Sequence, residues 1–293
     1  MVIIGMIVHT NITVLLQYIM PKQAITVLAG KLAHLQGGNV TTAVIRWFVK
    51  RYNVNMAEAA NPDITSYQSF NEFFTRPLKV GARPLAKAAF ICPVDGAISQ
   101  FGNIEADQIF QAKGHAYSTA ALVGGDKNLA GKFENGHFAC LYLSPKDYHR
   151  IHMPCDGTLK SMTYVPGALF SVNPTTAQGV PGLFARNERV VCEFTSVTHG
   201  NFVVVLVGAT IVGSMATVWH TAKNGIINPP RTRNTRAWKY TDQNITLKQG
   251  DEMGRFLLGS TVVMLFEKDA LQFNADWQSA RAIKLGEMMG VKS

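Results

Sequence analysis

The sequence predicts an α+β protein, with N-terminal amphipathic helices followed by a mainly antiparallel β domain. Two observations carry that expectation. Up to about residue 52, apolar residues recur at the helical spacing i, i+3, i+4, i+7. From about Phe90, the chain breaks into short β-branched and aromatic runs bounded by Gly, Pro and Asn. Few segments between those runs are long enough for βαβ crossovers, so the strands are expected to pair antiparallel. Residues 1–60 are expected to form the helical region and residues 61–293 the β-rich domain.

Ile12, Leu15, Leu16 and Ile19 set the stripe of a first helix. Pro21 then breaks the chain or opens a new helix. Ile25, Leu28, Ala29 and Leu32 repeat the stripe, Gly37-Gly38 stops it, and Val44, Phe48 and Tyr52 mark a third helix. A membrane-spanning helix needs about 20 predominantly apolar residues, and His9, Thr10, Asn11, Thr13 and Gln17 interrupt the first 21. No Lys or Arg precedes the apolar stretch, as a signal peptide would require. Packing onto the protein's own core and lying on a membrane surface give the same pattern. The absence of charge before Lys22 favours the membrane, so residues 1–60 are expected to associate with it. Strands are expected at 138–143, 159–165, 189–194, 202–207, 210–218 and 262–266.

Hydrophobic residues make up 47% of the chain and charged residues 16%, which excludes a disordered chain. The formal charge of +9 calls for anionic partners. A low charged fraction suits an anionic membrane surface better than nucleic acid, whose binders cluster their basic residues densely. Residues 222–240 carry Lys223, Arg231, Arg233, Arg236 and Lys239 with no acidic residue. They are expected to form an exposed loop, open to solvent or to anionic headgroups. Cys92, Cys140, Cys155 and Cys192 form no CxxC, so neither a zinc ribbon nor a thioredoxin motif is present, and buried reduced thiols are expected.

The chain lacks GxGxxG, Walker A, HExxH and GxSxG. Three segments carry chemistry. Tyr142-Leu143-Ser144-Pro145-Lys146-Asp147-Tyr148-His149-Arg150-Ile151-His152-Met153-Pro154 holds two histidines, which exchange protons near neutral pH, with an aspartate, a lysine, an arginine and two tyrosines. They lack a third ligand nearby, so no metal is expected; proton transfer and a solvated polar turn both remain open. Cys92-Pro93-Val94-Asp95-Gly96 reads as a turn after an apolar strand. Residues 250–261 hold Gly250, Gly254 and Gly259, then Ser260-Thr261 ahead of a strand.

With these three segments in this order, the chain resembles the phosphatidylserine decarboxylases, in particular the bacterial-type membrane-associated subfamily. Further matching residues are Leu16-Gln17-Tyr18, Pro21-Lys22, Phe70-Asn71-Glu72-Phe73-Phe74, Gln111-Ala112-Lys113-Gly114-His115, Tyr164-Val165-Pro166-Gly167, Phe184-Ala185-Arg186-Asn187-Glu188-Arg189, Val207-Gly208-Ala209-Thr210 and Leu258-Gly259-Ser260-Thr261. Val94 departs from the alanine expected before Asp-Gly.

The resemblance implies a catalytic β domain that makes a pyruvoyl cofactor from its own Ser260. Ser260 would attack the Gly259 carbonyl, β-elimination would separate residues 1–259 from 260–293, and hydrolysis would release ammonia. By the same resemblance His152 is the base and Asp95 orients it, the logic of a Ser-His-Asp triad. The ketone would take phosphatidylserine as a Schiff base and lose CO₂ to give phosphatidylethanolamine, with His149 donating the proton or touching the headgroup. Lys113, His115, Arg186 and Arg189 are further candidates for phosphate or carboxylate contact. The implied partners are phosphatidylserine, the membrane surface and the chain's own second fragment, as a heterodimer, with no nucleic acid. The implied location is the cytoplasmic face of the cell membrane, as a peripheral protein. The competing readings are a lipoyl-type carrier module, a lipid-binding scaffold, and a pyruvoyl decarboxylase acting on a soluble amino acid.

Overall fold

Helices α1 (Lys22–His34) and α2 (Asn39–Tyr52) form where the apolar spacing predicts them. The computed structural model describes residues 14–210, 215–220, 226–227, 233–257 and 260–293, the last range starting with the backbone alone at Ser260. Residues 14–19 are also helical, and Ile12 lies outside the described residues. Pro21 caps α1, and its fixed φ suits a helix start. Asn53, in the left-handed conformation, ends α2.

These helices turn much of their apolar surface outward. Leu28, Leu32 and Trp47 are 59%, 57% and 60% exposed. The opposite face of α2 buries Ile45 and Phe48 against Val54, Tyr67, Phe73 and Phe74, a small core separate from the main one. Phe73 and Phe74 lie on the short helix α3 (Phe70–Phe74), whose N-terminal Glu72 N–H is capped by Ser69 Oγ at 3.2 Å. Residues 14–20 rest instead on the β domain: Tyr18 packs edge-on to Phe170 at 5.1 Å, and the Ser171 N–H donates to Gln17 Oε1 at 3.1 Å.

The β domain is built on one nine-stranded antiparallel sheet. In chain order its strands are β1 (Gly96–Asn103), β2 (His137–Leu143), β3 (Gly157–Val165), β4 (Arg189–Ser196), β5 (Gly200–Val207), β6 (Arg236–Lys239), β7 (Thr246–Leu247), β8 (Ser260–Phe266) and β9 (Ala282–Ile283). Their spatial order is β6-β3-β4-β5-β8-β2-β1-β9, with β7 pairing β3 beside β6. Val203, Val204, Val205 and Val263, Met264, Leu265 are all fully buried, so β5 and β8 read as continuous apolar runs covered on both faces. All four cysteines are buried and free, as expected. Burial pushes each thiol up, that of Cys140 to about 12, so none is a reactive thiolate.

Part of the basic stretch differs from the loop expected for it. Arg236–Lys239 is strand β6, laddered to Tyr164–Ser161. Its alternating neighbours find backbone partners on the edge of the sheet, which composition does not reveal. Arg233, Arg236 and Lys239 remain exposed, while Lys223 and Arg231 lie outside the described residues.

Candidate active site

Asp95 and the backbone of Ser260 stand at one end of the large sheet. β8 is laddered on one side to β2 and on the other to β5. Thr261 pairs with Tyr142, which in turn pairs with Ala97 on β1. Neighbouring strands lie about 4.8 Å apart, so these three rows span about 10 Å. One residue beyond that row stand Ser260, Leu143 and Gly96, with Asp95 immediately before Gly96. Gly96 permits the approach of the two strands: a Cβ there would meet the Tyr142 carbonyl oxygen at 2.3 Å. Leu258, Gly259 and the Ser260 side chain lie outside the described residues.

The histidines enter from the segment that leaves β2. Ser144 starts it with a tight turn, donating from its N–H and its Oγ to Asp147 Oδ2, both at 2.7 Å. The short strand Arg150–His152 then runs beside residues 91–93, with the His152 N–H donating to the Pro93 carbonyl at 2.9 Å. His152 Nδ1 donates to the Gly250 carbonyl at 2.7 Å. That bond leaves Nε2 as the unprotonated nitrogen, and the Tyr148 hydroxyl sits on it at 3.1 Å. Burial holds the His152 imidazole below its ordinary value, opposed by the Gly250 carbonyl and Glu252.

His149 is fully buried. Its ring stacks on Phe74 of α3 at 4.0 Å and 18°, and neither ring nitrogen has an aligned hydrogen bond. Burial, reinforced by the Arg76 guanidinium, lowers it to about 3; the nearby Ser144 and Pro145 carbonyls oppose the shift only in part. The Arg150 guanidinium adds a second tie to α3, donating from Nε to the carbonyl of Thr75, its C-terminal cap, at 2.9 Å.

Asp95 is 7% exposed. Arg83 Nε donates to both its oxygens, at 2.9 and 3.1 Å, and Nη2 reaches Oδ2 at 2.5 Å. The Leu285 N–H donates to Oδ1 at 2.9 Å. Asp95 thus makes no hydrogen bond to His152 here: its lone pairs are taken by Arg83 and Leu285, and the ring is held by Gly250 instead. The spacing of the sequence could not reveal Gly250, because the contact is made by a backbone oxygen. Arg83 had no signal beyond lying in an Arg-Pro pair.

The other expected anion contacts are placed elsewhere. Arg189 is buried and donates to the carbonyls of Leu122, Ala121 and Asn187, with no capacity left for a phosphate. Arg186 stacks over Tyr18 and Phe170, anchoring the first helix. Lys113 and His115 flank the turn of a separate hairpin, Gln108–Ala112 with His115–Ser118. Glu188, one strand beyond β5, is buried with Oε1 unpartnered, and burial pushes its carboxyl up to about 8.

The profile of the phosphatidylserine decarboxylase family matches residues 70–291, which covers this whole constellation. The chain belongs to the phosphatidylserine decarboxylase family. A second profile, described as PSD, matches residues 12–53, the helical region. The chain is 73% identical over 280 residues to the phosphatidylserine decarboxylase proenzyme of Dechloromonas aromatica (strain RCB), covering 96% of this chain and 98% of that one. It is 69% identical to the proenzyme of the same name from Albidiferax ferrireducens, over 95% of this chain and 96% of that one. The corresponding figures for the proenzyme of Azoarcus sp. (strain BH72) are 67%, 96% and 96%.

The buried His149 gives this phosphatidylserine decarboxylase family member a marked acid sensitivity. Its folded-state value of about 3 lies below the ordinary 6.5, so between those values the unfolded chain binds more protons than the native one. Stability is complete above about pH 6.5 and is lost as the pH falls toward 3, by roughly 4–5 kcal/mol over the whole window. His149→Phe, which keeps a ring on Phe74, is expected to flatten the fall in melting temperature between pH 7 and pH 4.5. An unchanged pH slope in that variant would show that other groups dominate acid unfolding.

Proposed function

We propose that this chain decarboxylates phosphatidylserine to phosphatidylethanolamine with a pyruvoyl group that it makes by cutting itself between Gly259 and Ser260. The observation that carries the reading is the convergence of Asp95, the His149–His152 segment and the head of β8 at one end of the sheet. The surroundings suit a group formed there. Thr261 Oγ1, next in the chain to residue 260, is buried without a partner, and the buried His149 ring nitrogens make no aligned hydrogen bond.

In self-cleavage the Ser260 hydroxyl attacks the Gly259 carbonyl carbon, and the C–N bond breaks to leave an ester and a free amine. A serine hydroxyl is a weak nucleophile and needs a base. His152 Nε2 suits that task, because Nδ1–H is committed to Gly250. The same base then removes the residue-260 α-proton, the ester Cβ–O bond breaks, and Gly259 leaves as a carboxylate. Water converts the remaining enamine to a ketone and releases ammonia. When present, that ketone supplies an electron sink for the pair left on the serine headgroup as CO₂ departs. His149 is suited to relay a proton to that carbon: its neutral imidazole takes up the proton that the substrate ammonium loses as the Schiff base forms, and its lowered affinity for protons makes it give that proton up again. Asp95 acts as a fixed anion beside the base, within electrostatic reach of His152.

The outward-facing Leu28, Leu32 and Trp47, and the net positive charge, support docking on an anionic membrane surface. Among the described residues no helix is long and apolar enough to cross a membrane. The location proposed is the cytoplasmic face of the cell membrane, as a peripheral protein. Leu28→Glu/Leu32→Glu/Trp47→Glu is expected to lower co-sedimentation with phosphatidylserine vesicles at least tenfold, about 1.4 kcal/mol. Fold and self-cleavage should survive, because these side chains are exposed. Undiminished sedimentation would remove the helices from the docking surface.

β8 lies between β5 and β2, which supports the two fragments staying together as a heterodimer after the cut. Intact mass spectrometry of the purified protein tests the reading. Fragments 1–259 and 260–293 are expected, the smaller lighter by one ammonia than a serine-started peptide, together with CO₂ release from phosphatidylserine. A single intact chain lacking that activity would bring the lipid-binding scaffold forward.

A further inference from the structure

A chain of ionic contacts leaves residue 284 and returns to residue 285. Lys284 Nζ pairs with Glu58 Oε1 at 3.3 Å, and Glu58 Oε2 pairs with Arg83 Nη2 at 2.5 Å. Arg83 then grips Asp95 through Nε and Nη2, and Asp95 Oδ1 accepts the Leu285 N–H. The Arg83 side chain is only 7% exposed. Both carboxylates favour its charged form, which is pushed well above the usual guanidinium range, Asp95 contributing most. The surrounding turn is pinned by backbone bonds: the Gly286 N–H donates to the Cys92 carbonyl at 3.0 Å and the Cys92 N–H to the Glu287 carbonyl at 2.7 Å.

We infer that Arg83 is the positioning residue for Asp95, and that it makes the place of Asp95 depend on the 284–287 turn of the segment that follows the cleavage site. Three observations combine here. Asp95 leans on no histidine, so something else must fix its carboxylate. Arg83 supplies that with three donor contacts, and a planar fork holds a carboxylate in one orientation where a point charge would not. Leu285 supplies the fourth contact from residues 260–293, so Asp95 takes this position only once that segment has docked. Glu58, from the edge of the helical region, shares Nη2 with Asp95, and Nη1 donates to the Ala82 carbonyl at 2.8 Å, which together keep the fork turned toward Asp95.

The inference rests on the proposed part of Asp95 in self-cleavage, and the test separates the two. Full-length protein is made in a cell-free reaction with vesicles, and the rate of conversion to two fragments is followed by gel and intact mass. Only the folded, protease-resistant fraction is counted. Arg83→Lys keeps the charge but not the fork, and it is expected to slow cleavage at least tenfold. The same change in an Asp95→Glu background, where the carboxylate is already displaced by one methylene, should cost less than about threefold. A merely structural role would give equal factors in both backgrounds, and that result overturns the inference. So does Arg83→Lys cleaving at the wild-type rate while Asp95→Asn is slow. If Asp95→Asn itself cleaves at the wild-type rate, the underlying reading fails and the inference goes with it.

Discussion

Ser260→Ala is expected to leave one uncleaved 293-residue chain with no decarboxylation of phosphatidylserine above background. Alanine has no oxygen to attack the Gly259 carbonyl, so the first bond change cannot occur. It also cannot become a ketone, so the electron sink for decarboxylation is missing even if the backbone were cut by other means. Removing a triad serine nucleophile costs about 10⁶ in rate; here the loss falls on maturation and turnover together. The fold should be unaffected, since β8 is held by ladders to β2 and β5 that run through the backbone. Fragments in the Ser260→Ala protein, or residual CO₂ release from it, would sink the self-cleavage reading.

The two histidines are expected to fail differently. His152→Ala should remain intact, because the Gly250-oriented base is gone. His149→Ala should still cleave, yet decarboxylate about 10²–10⁴-fold more slowly, the usual worth of a positioned proton donor. Their surroundings justify the division. His152 has one nitrogen fixed on Gly250 and the other presented to Tyr148, a defined tautomer ready to accept a proton. His149 lies flat on Phe74, fully buried, with neither nitrogen in an aligned hydrogen bond and only the Ser144 and Pro145 carbonyls nearby. Intact mass for cleavage and labelled CO₂ for turnover read the two steps independently. Cleavage lost in His149→Ala and kept in His152→Ala would reverse the roles.

Much of this arrangement was legible in the sequence for a physical reason. Strands such as 138–143 and 202–207 are apolar runs closed by Gly, Pro or Asn, and each recurs with at most two residues added at an end. The helices were legible as periodicity, but which way their stripes faced was not, because a membrane and a protein core reward the same pattern. Polar residues with several possible partners were read less well. Arg189 looked like an anion contact and is spent on three carbonyls. Asp95 was identified, but its partner Arg83 lies twelve residues upstream, and its other partner is a backbone N–H 190 residues downstream. Long-range pairing of that kind leaves no local trace.

The position of β8 also sets an order of events. It is the eighth of nine sheet strands along the chain but stands in the middle of the sheet. During synthesis, when domains assemble from the N-terminal side, β2 and β5 therefore wait with facing, unpaired edges. The segment that closes the gap carries the bond to be cut at its head. On the proposed reading, maturation is thereby deferred until β8 has been delivered, and the cut marks a filled gap between β2 and β5.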